Sequence, residues 1–458
     1  MPLFARDALL PAGWATDVLL DWDTSGRLTQ VREGAACPPG VATPRGPVIP
    51  GMPNVHSHAF QHVFAGLTET RGHDDDSFWS WRTLMYRFAA RITPAQLETI
   101  ATHLYQRMLR GGYTSVCEFH YLHHDRDGRA YADAAETSSA LLRAARSASI
   151  GITLLPVLYQ SGGFDGAPAT ADQRRFLHLP DSILALVERL RADARAPCER
   201  IGFAAHSLRA VPPASLEAAL AGLASIDATA PIHIHIAEQL REVDECIAWS
   251  GQRPVAWLLD HAPVDTRWCL VHATHMTDGE SAAAAHRGAI AGLCPTTEAN
   301  LGDGLFDVPR WHAAGGRWAI GSDSQACVDA AEELMLLEYG QRLASHRRNV
   351  LAQPLQPSVA TAMTLAAVAG GAQACGRDVG GIAVGQQADL VVLDARHPAL
   401  AGLDAAQMLD AHVFASDRRS AIDQVFTAGT CRVSDGLHAD GAAMNARFSA
   451  VRQMLLAE

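Results

Sequence analysis

The chain has 458 residues, of which 48% are hydrophobic and 19% charged, and a formal net charge of −12. This composition is that of a packed globular protein and excludes an intrinsically disordered chain. The acidic balance and the lack of clustered basic residues argue against a nucleic-acid partner, since such partners are held by Lys and Arg side chains against phosphates.

The first residues of the chain do not have the pattern of a secretory signal. Arg6, Asp7 and Asp17 interrupt the apolar stretch that such a signal requires. No uncharged apolar window of about 18 residues follows, so we expect no membrane contact and a cytoplasmic location. The nine cysteines are scattered singly, without a Cys-x-x-Cys pair, which is typical of reduced thiols.

All 37 basic residues are arginine, because the chain contains no lysine. This absence excludes Schiff-base chemistry on a lysine and a phosphate-binding loop with its lysine. It also excludes the carbamylated lysine that bridges a pair of metal ions in some barrel hydrolases. We therefore predict that any metal centre in this protein is mononuclear.

Both ends of the chain show short β-rich patterns. Residues 15–34 alternate apolar and polar positions around the sequence DTSG, which predicts a hairpin. Residues 386–395 and 421–433 are again short β-rich runs. Because neither end has enough strands to bury a face alone, we predict one small β-sandwich domain built from residues 1–48 and 376–458.

Between the two ends, eight brief apolar runs alternate with helical patterns. The runs are VIPGMPNVHSH, TSVCEF, ITLLPVL, RIGFAAHS, PIHIHIAE, WCLVHATH, AIAGLCP and RWAIGSD. Alternation of strand and helix is typical of parallel βα units, and eight units are what a closed (β/α)₈ barrel requires. We therefore predict an α/β fold with a TIM-like barrel over residues 49–375.

Residues that can ligate a metal follow one apolar run after another. His56 and His58 close the first run, and side chains at i and i+2 of a strand point to the same side. His235 closes the fifth run, His272 the sixth, and Asp323 follows the eighth. The carboxyl ends of barrel strands meet at one rim, where active sites are built. Neutral imidazoles and one carboxylate suit Zn²⁺, and the ion lowers the pKa of its bound water to roughly 7. We therefore predict one zinc ion per chain, held by His56, His58, His235 and Asp323.

Each of these groups also has a structural interpretation when it is taken alone. A strand-end histidine can be a hydrogen-bonded core residue, Ser-Asp-Ser is a common helix cap, and Glu238 can be a surface residue at the start of a helix. Their conjunction at the ends of four runs favours the metal site. For the remaining histidines we predict packing or loop roles: His120, His123, His124, His233, His261 and His275.

The motifs around these residues resemble the mononuclear deaminase branch of the amidohydrolase superfamily. The matching segments are PGMPNVHSH, HIHIAE, LVHATH, GSDS and GGIAVGQQADLVVLD, which together run from Pro50 to Asp394. The resemblance implies a hydrolase that releases ammonia from a C=N carbon. It further implies that Glu238 and His272 are the acid–base and water-orienting residues, and that Asp323 is both ligand and proton acceptor.

A closer resemblance is to the formimidoylglutamate deiminase family. The matching segments are HSHAFQHVFAGLTE, DSFWSWRTLMYRF, EFHYLHH, AAHSLRAV, LCPTTEANLGDG and EELMLLEYGQRL. This family converts N-formimino-L-glutamate to N-formyl-L-glutamate and ammonia in histidine degradation. The resemblance also implies that this chain forms a homodimer. Where this chain has Gln325, the family pattern favours a histidine. The substrate contacts that the resemblance implies are Gln61, Arg82, Tyr121, His206 and Arg209.

The charges of this substrate give a separate argument for the two arginines. Formimino-glutamate carries two carboxylates, and a guanidinium binds a carboxylate through two parallel hydrogen bonds. Arg209 lies three residues beyond the strand-end His206, so it can reach the rim. Arg82 lies in the Trp-rich segment FWSWR, which we expect to fold over the mouth as a lid. On their own, exposed arginines are common, and Gln61 and Tyr121 could equally be hydrogen-bonding residues at the rim of the core.

Other functions remain open on the residues alone. A mononuclear-zinc deaminase of a nucleobase or another aromatic ring would need stacking and amide contacts rather than a pair of arginines. A ring amide hydrolase usually needs two metals and the lysine that this chain lacks. A catalytically inactive barrel that serves in binding or assembly would have lost metal ligands, whereas all of them are present here.

Overall fold

The structure, a computed structural model, describes residues 2–70, 78–194 and 196–457, and residues 78–80 by their backbone alone. Its strands are β1 (Leu3–Leu10), β2 (Gly13–Trp22), β3 (Leu28–Arg32), β4 (Val48–Pro50), β5 (Met52–Ser57), β6 (Tyr113–His120), β7 (Gly151–Leu158), β8 (Glu199–Ile201), β9 (Phe203–Ala205), β10 (Ile232–Ile236), β11 (Trp268–His272), β12 (Ile290–Leu293), β13 (Arg317–Ile320), β14 (Leu390–Leu393), β15 (Ile422–Thr427), β16 (Thr430–Ser434) and β17 (Leu437–His438). 

The helices complete the inventory of regular elements. They are α1 (Phe78–Ala89), α2 (Pro94–Arg110), α3 (Glu136–Ala148), α4 (Pro180–Asp193), α5 (Pro213–Ile226), α6 (Leu240–Ser250), α7 (Pro254–His261), α8 (Asp278–His286), α9 (Pro295–Leu301), α10 (Val308–Ala313), α11 (Ala330–Ser345), α12 (Val359–Cys375), α13 (Ala405–Phe414) and α14 (Gly441–Ala457). Short 3-10 turns cover Ala59–Phe64, Phe164–Gly166, Ala171–Gln173 and Arg418–Ala421.

The central sheet is a nearly closed parallel barrel. Strands β5, β6, β7, β9, β10, β11, β12 and β13 are hydrogen-bonded in that order, every neighbouring pair is parallel, and β8 pairs with β7. A backbone bridge between Ser57 and Asp323 joins the first strand to the loop after the last. The predicted (β/α)₈ barrel is therefore confirmed.

The barrel strands are apolar on both faces because helices cover the outside and side chains fill the inside. In β10 the sequence IHIHI is buried at all five positions. Since alternate side chains of a strand face opposite sides, the isoleucines pack towards the helices and His233 and His235 face the barrel axis. His233 bonds through Nε2 to the carbonyl oxygen of Ala374, 2.9 Å away, at the end of α12. His233 thus links the interior of the barrel to α12, while His235 lies near the carboxyl end of β10 at the rim.

Helix α2 illustrates how the outer layer forms. The Thr93 hydroxyl caps it by accepting a hydrogen bond from Gln96 N, and the Gln96 side-chain oxygen accepts one from Thr93 N. Pro94 begins the first turn. Its buried face carries Leu97, Ile100, Ala101, Leu104, Tyr105 and Met108, a spacing of three and four residues that makes one apolar stripe.

The two chain ends form one second sheet, in the order β17-β16-β15-β14-β4-β1-β2-β3. The predicted hairpin is its β2–β3 pair, whose turn is held by Asp23, which accepts from the backbone N–H groups of Ser25 and Arg27. The first apolar run divides at Gly51, because Val48–Pro50 joins this sheet and Met52–Ser57 joins the barrel. The second sheet fits the predicted β-sandwich; the domain limits at residues 48 and 376 stay a prediction.

Two further features bear on the sequence analysis. All nine cysteines are free thiols. Over residues 2–70, 78–194 and 196–457, no helix is long and apolar enough to cross a membrane.

Replacement of Gly370 tests the packing that closes the barrel. This glycine of α12 lies against β13, and an added methyl group would collide with the carbonyl oxygen of Trp318. We expect Gly370→Ala to lower the free energy of unfolding by about 1–3 kcal/mol, measured as a lower urea midpoint. The matched control is Gly279→Ala in α8, where nothing lies within 4 Å and alanine should stabilise the helix by up to about 1 kcal/mol. Equal midpoints for the two variants would contradict this account of how α12 packs against β13.

Candidate metal centre and active site

The carboxyl ends of three barrel strands bring the four predicted ligands to one rim. His56 and His58 lie at the end of β5, His235 near the end of β10, and Asp323 three residues beyond β13. The rim is pinned across the seam of the barrel, since Asp323 N donates to His56 O (3.0 Å) and His58 N donates to Asp323 O (3.2 Å). Residues from opposite ends of the barrel sequence are thereby held side by side.

Sharp backbone turns aim the side chains into the mouth. Ala237, His272, Ala273 and Asp323 all have a positive φ, between 41° and 65°. Non-glycine residues adopt this left-handed conformation at a cost of order 1–3 kcal/mol and concentrate at functional sites. The strain coincides with the strand ends that carry the candidate site.

The ligand-type atoms converge on one point. The Nε2 atom of His56 lies 3.1 Å from that of His58 and 3.0 Å from that of His235. Oδ1 of Asp323 lies 3.4 Å from His56 Nε2 and 3.3 Å from His58 Nε2. Atoms about 2.1 Å from a common tetrahedral metal ion lie about 3.4 Å apart. The spacing fits a single ion bound by all four side chains.

Hydrogen bonds on the far side of two of the rings orient their Nε2 lone pairs. His58 Nδ1 lies 2.9 Å from the carbonyl oxygen of Phe119, and His235 Nδ1 lies 2.9 Å from that of His206. A carbonyl only accepts, so each Nδ1 carries the proton and each Nε2 presents a lone pair. The Nε2 lone pairs of His58 and His235 therefore both point towards the Nε2 atom of His56, where a positive ion between the rings would stabilise them.

Burial keeps these imidazoles neutral. It lowers the pKa of His56 to about 3 and the pKa of His58 and His235 below the ordinary value. Burial alone would raise the pKa of Asp323, but its hydrogen bond to His56 and the neighbouring histidines lower it below the usual range. Three neutral rings and one carboxylate are the donor set that a zinc-type ion requires.

A second group of side chains surrounds His272, at the end of β11, beside the same point. His272 Nε2 lies 3.6 Å from Asp323 Oδ2 and 3.7 Å from Glu238 Oε1, and its Nδ1 lies 3.2 Å from Glu298 Oε1. The two oxygens of Asp323 therefore face different partners. Burial raises the pKa of Glu238 to about 7. Burial opposes protonation of His272, but Glu238 and its bond to Glu298 raise its pKa to about 10.

A cavity opens over these groups. It brings together all five predicted substrate contacts with the ligand and acid–base residues, while His56 lies buried beneath. Its lining is His58, Gln61, Trp81, Arg82, Met85, Tyr121, His206, Ser207, Arg209, His235, Glu238, Glu242, His272, Leu301, Asp323 and Ser324.

The predicted substrate contacts come from separate elements. Gln61, in the turn after β5, donates from Nε2 to the Tyr121 hydroxyl (2.9 Å), which follows β6. His206 and Arg209 follow β9, and Arg82 lies in α1. The predicted lid, residues 78–82, is the start of α1. Its residues 78–80 are described by backbone alone, while Trp81 and Arg82 line the cavity.

Three acidic residues near the site received no role from the sequence. Glu298 faces His272. Glu242 accepts hydrogen bonds from Ala237 N and Glu238 N, both at 3.1 Å, and so holds the turn after β10. Asp303 accepts from the Gln239 side chain. Glu298 lies in LCPTTEANLGDG, which carried the resemblance, but nothing in its local pattern indicates a partner 26 residues away.

The other histidines and Gln325 have separate structural partners. His120, His123 and His124 bond to Thr137, Val157 and Leu177 respectively. Gln325 donates to Ser57 Oγ and to the carbonyl oxygen of Asp323, and accepts from the Ser322 hydroxyl. Glutamine at this position therefore ties the Asp323 loop to the end of β5.

Comparison with known proteins gives the chain's family and relatives. The Amidohydrolase family profile matches residues 48–431. The chain is 51% identical over 437 residues to the formimidoylglutamate deiminase of Pseudomonas aeruginosa, with 95% of each chain covered. It is 28% identical over 424 residues to the 8-oxoguanine deaminase of that organism, covering 90% and 88%.

Solved structures show the same architecture. An amidohydrolase from Brucella melitensis superposes with a TM-score of 0.94 at 45% identity, covering 99% of each chain. An adenosine deaminase from Xanthomonas campestris, with bound zinc, superposes with a TM-score of 0.82 at 23% identity, covering 100% of this chain and 98% of that one. At that identity the second likeness is one of fold.

The environment of His272 predicts its titration in the metal-free protein. Since its folded pKa of about 10 exceeds the ordinary 6.5, its contribution to stability is complete below pH 6.5 and is lost as the pH rises to about 10. We expect a protonated ring at pH 8 by ¹⁵N NMR after chelation, and a lower pKa in Glu298→Gln. His233, whose pKa burial lowers to about 4, serves as internal control. A neutral His272 at pH 8 would contradict the expectation.

Proposed function

The chain belongs to the amidohydrolase family, and from this premise we propose that it hydrolyses N-formimino-L-glutamate to N-formyl-L-glutamate and ammonia, a step of histidine degradation. The observation that carries the proposal is a single cavity lined by the Arg82 and Arg209 side chains and by Glu238, His272 and Asp323. The 51% identity to a formimidoylglutamate deiminase over 95% of both chains supports the same substrate.

We further propose that one zinc ion per chain is held by His56, His58, His235 and Asp323. When bound, zinc supplies a Lewis acid that brings the pKa of water to about 7. The convergent Nε2 lone pairs and the short spacing of the four ligand atoms support this assignment.

The remaining groups divide the proton transfers among themselves. Asp323 Oδ2, which faces away from His56 and His58, accepts the proton of the attacking water, and His272 orients that water. Glu238 holds a proton near neutral pH because burial raises its pKa to about 7. It donates that proton to the departing nitrogen, which leaves as ammonia. The formimino carbon loses only its terminal nitrogen and keeps the water oxygen as the formyl group, and the remaining proton of that oxygen returns to Glu238 as the C–N bond breaks.

The arginines are proposed to bind the carboxylates of the substrate, with Gln61, Tyr121 and His206 as further contacts. Arg209 is 8% exposed, so an ion pair there is shielded from water and stronger than on the surface. Deaminases of aromatic rings are represented among relatives of 28% identity or less. The two arginines that line the cavity favour a substrate with two carboxylates over a neutral flat ring. The family resemblance also supports a cytoplasmic homodimer, which we include in the proposal.

The metal assignment predicts metal content and activity together. His58→Ala and Asp323→Ala should each reduce zinc below about 0.1 per chain and abolish ammonia release, because each removes one of four ligands. His233→Gln, on the same strand as His235 but bonded to Ala374, should retain zinc near one per chain. Metal is measured by atomic absorption and ammonia by a coupled assay. A full zinc complement in Asp323→Ala contradicts the ligand set.

The substrate assignment predicts the effect of the two arginines. Arg82→Ala and Arg209→Ala should each lower kcat/KM for formimino-L-glutamate by about 10²–10³-fold, since loss of one partner of a buried ion pair costs about 2–5 kcal/mol. The exposed Arg347→Ala is the matched control. Unchanged turnover in both cavity variants, with ammonia released from a nucleobase, would favour an aromatic-ring deaminase.

A further inference from the structure

Tyr159 is a strand-end residue that lies beside the cavity without an assigned role. It follows β7 directly and is 2% exposed. Its ring packs edge-on against His206, with centroids 4.5 Å apart, and against Phe176 at 5.7 Å. The phenol is therefore held in place next to a proposed substrate contact.

Gln173 fixes the hydroxyl of this tyrosine. The Gln173 side chain is 2% exposed, and its Oε1 accepts a hydrogen bond from Thr170 N at 2.8 Å. That bond settles which end of the amide faces the cavity. Nε2 consequently donates to the Tyr159 hydroxyl at 2.7 Å and to the Tyr86 hydroxyl at 3.3 Å.

Arg82 meets the same hydroxyl from the other side. Its Nη2 donates to the Tyr159 oxygen at 3.3 Å, and its guanidinium lies 5.1 Å from the centre of the Tyr86 ring. An amide NH₂ and a guanidinium only donate, so both acceptor positions of the Tyr159 oxygen are used. Among the residues described, no hydrogen bond from the Tyr159 hydroxyl to an acceptor is present.

We propose that Tyr159 is a further substrate-binding residue, whose hydroxyl donates to the same carboxylate that Arg82 binds. The inference rests on the proposed function and deepens it by naming a specificity determinant. The Tyr159 oxygen and the Nη2 atom of Arg82 lie 3.3 Å apart, so the phenol proton and the guanidinium can donate to one carboxylate. A substrate without that carboxylate leaves the buried Tyr159 proton without an acceptor, which gives strong discrimination.

The test compares Tyr159→Phe with the wild-type enzyme on three substrates. These are formimino-L-glutamate, formimino-glycine, which lacks the side-chain carboxylate, and formimino-4-aminobutyrate, which lacks the α-carboxylate. We expect Tyr159→Phe to raise KM for formimino-L-glutamate about 10- to 100-fold with kcat changed less than about 3-fold. The effect should disappear on one of the two truncated substrates, which then identifies the carboxylate.

Two controls separate this role from a structural one. Tyr131→Phe removes a hydroxyl bonded to Arg175, at 3.4 Å, and should leave all three KM values unchanged. Arg82→Ala combined with Tyr159→Phe should lose little beyond Arg82→Ala alone, because both groups act on one carboxylate. Equal losses on all three substrates, or no loss on any, would overturn the inference. Absence of ammonia release by the wild-type enzyme would instead refute the proposed function.

Discussion

The seam between β5 and the loop after β13 is the constraint on which the site depends. Two backbone hydrogen bonds between His56, His58 and Asp323 close the barrel there, and the same residues carry three of the four proposed ligands. Helix α12 presses on this seam through Gly370 and reaches His233 through Ala374. Closure of the barrel and assembly of the candidate metal centre are therefore the same structural event, since a gap at the seam would separate the ligands.

The electrostatics of the rim follow from burial. Burial in a low-dielectric cavity disfavours the charged form of a side chain. Imidazole rings there stay neutral, and carboxyl groups stay protonated unless a cation balances their charge. Three imidazoles accordingly stay neutral, and Glu238 holds a proton near pH 7. His272 is the exception because Glu238, Glu298 and Asp323 surround it. The cavity thus offers a cation site and a proton donor within a few ångströms, which suits hydrolysis of an amidine.

The proposed recognition of the substrate depends on positive charge instead. Arg82 is oriented by the hydroxyl of buried Tyr159, which Gln173 also holds, and by the ring of Tyr86. Such preorganisation avoids the entropic cost of ordering a long side chain when a carboxylate binds. The role proposed for Arg82 rests on this position rather than on its charge alone, since 37 arginines are spread over the chain.

The sequence by itself determined the eight strands, the family and the residue types that end the strands, because burial on both faces imposes apolar runs and the chemistry follows each run directly. It also predicted the β2–β3 hairpin from local turn residues. Only the tertiary structure decided that Glu298 faces His272, that Gln173 fixes Tyr159, and that Val48–Pro50 leaves the barrel for the second sheet. These contacts join residues far apart in the chain, and no local periodicity encodes which of many polar side chains will meet once the barrel closes.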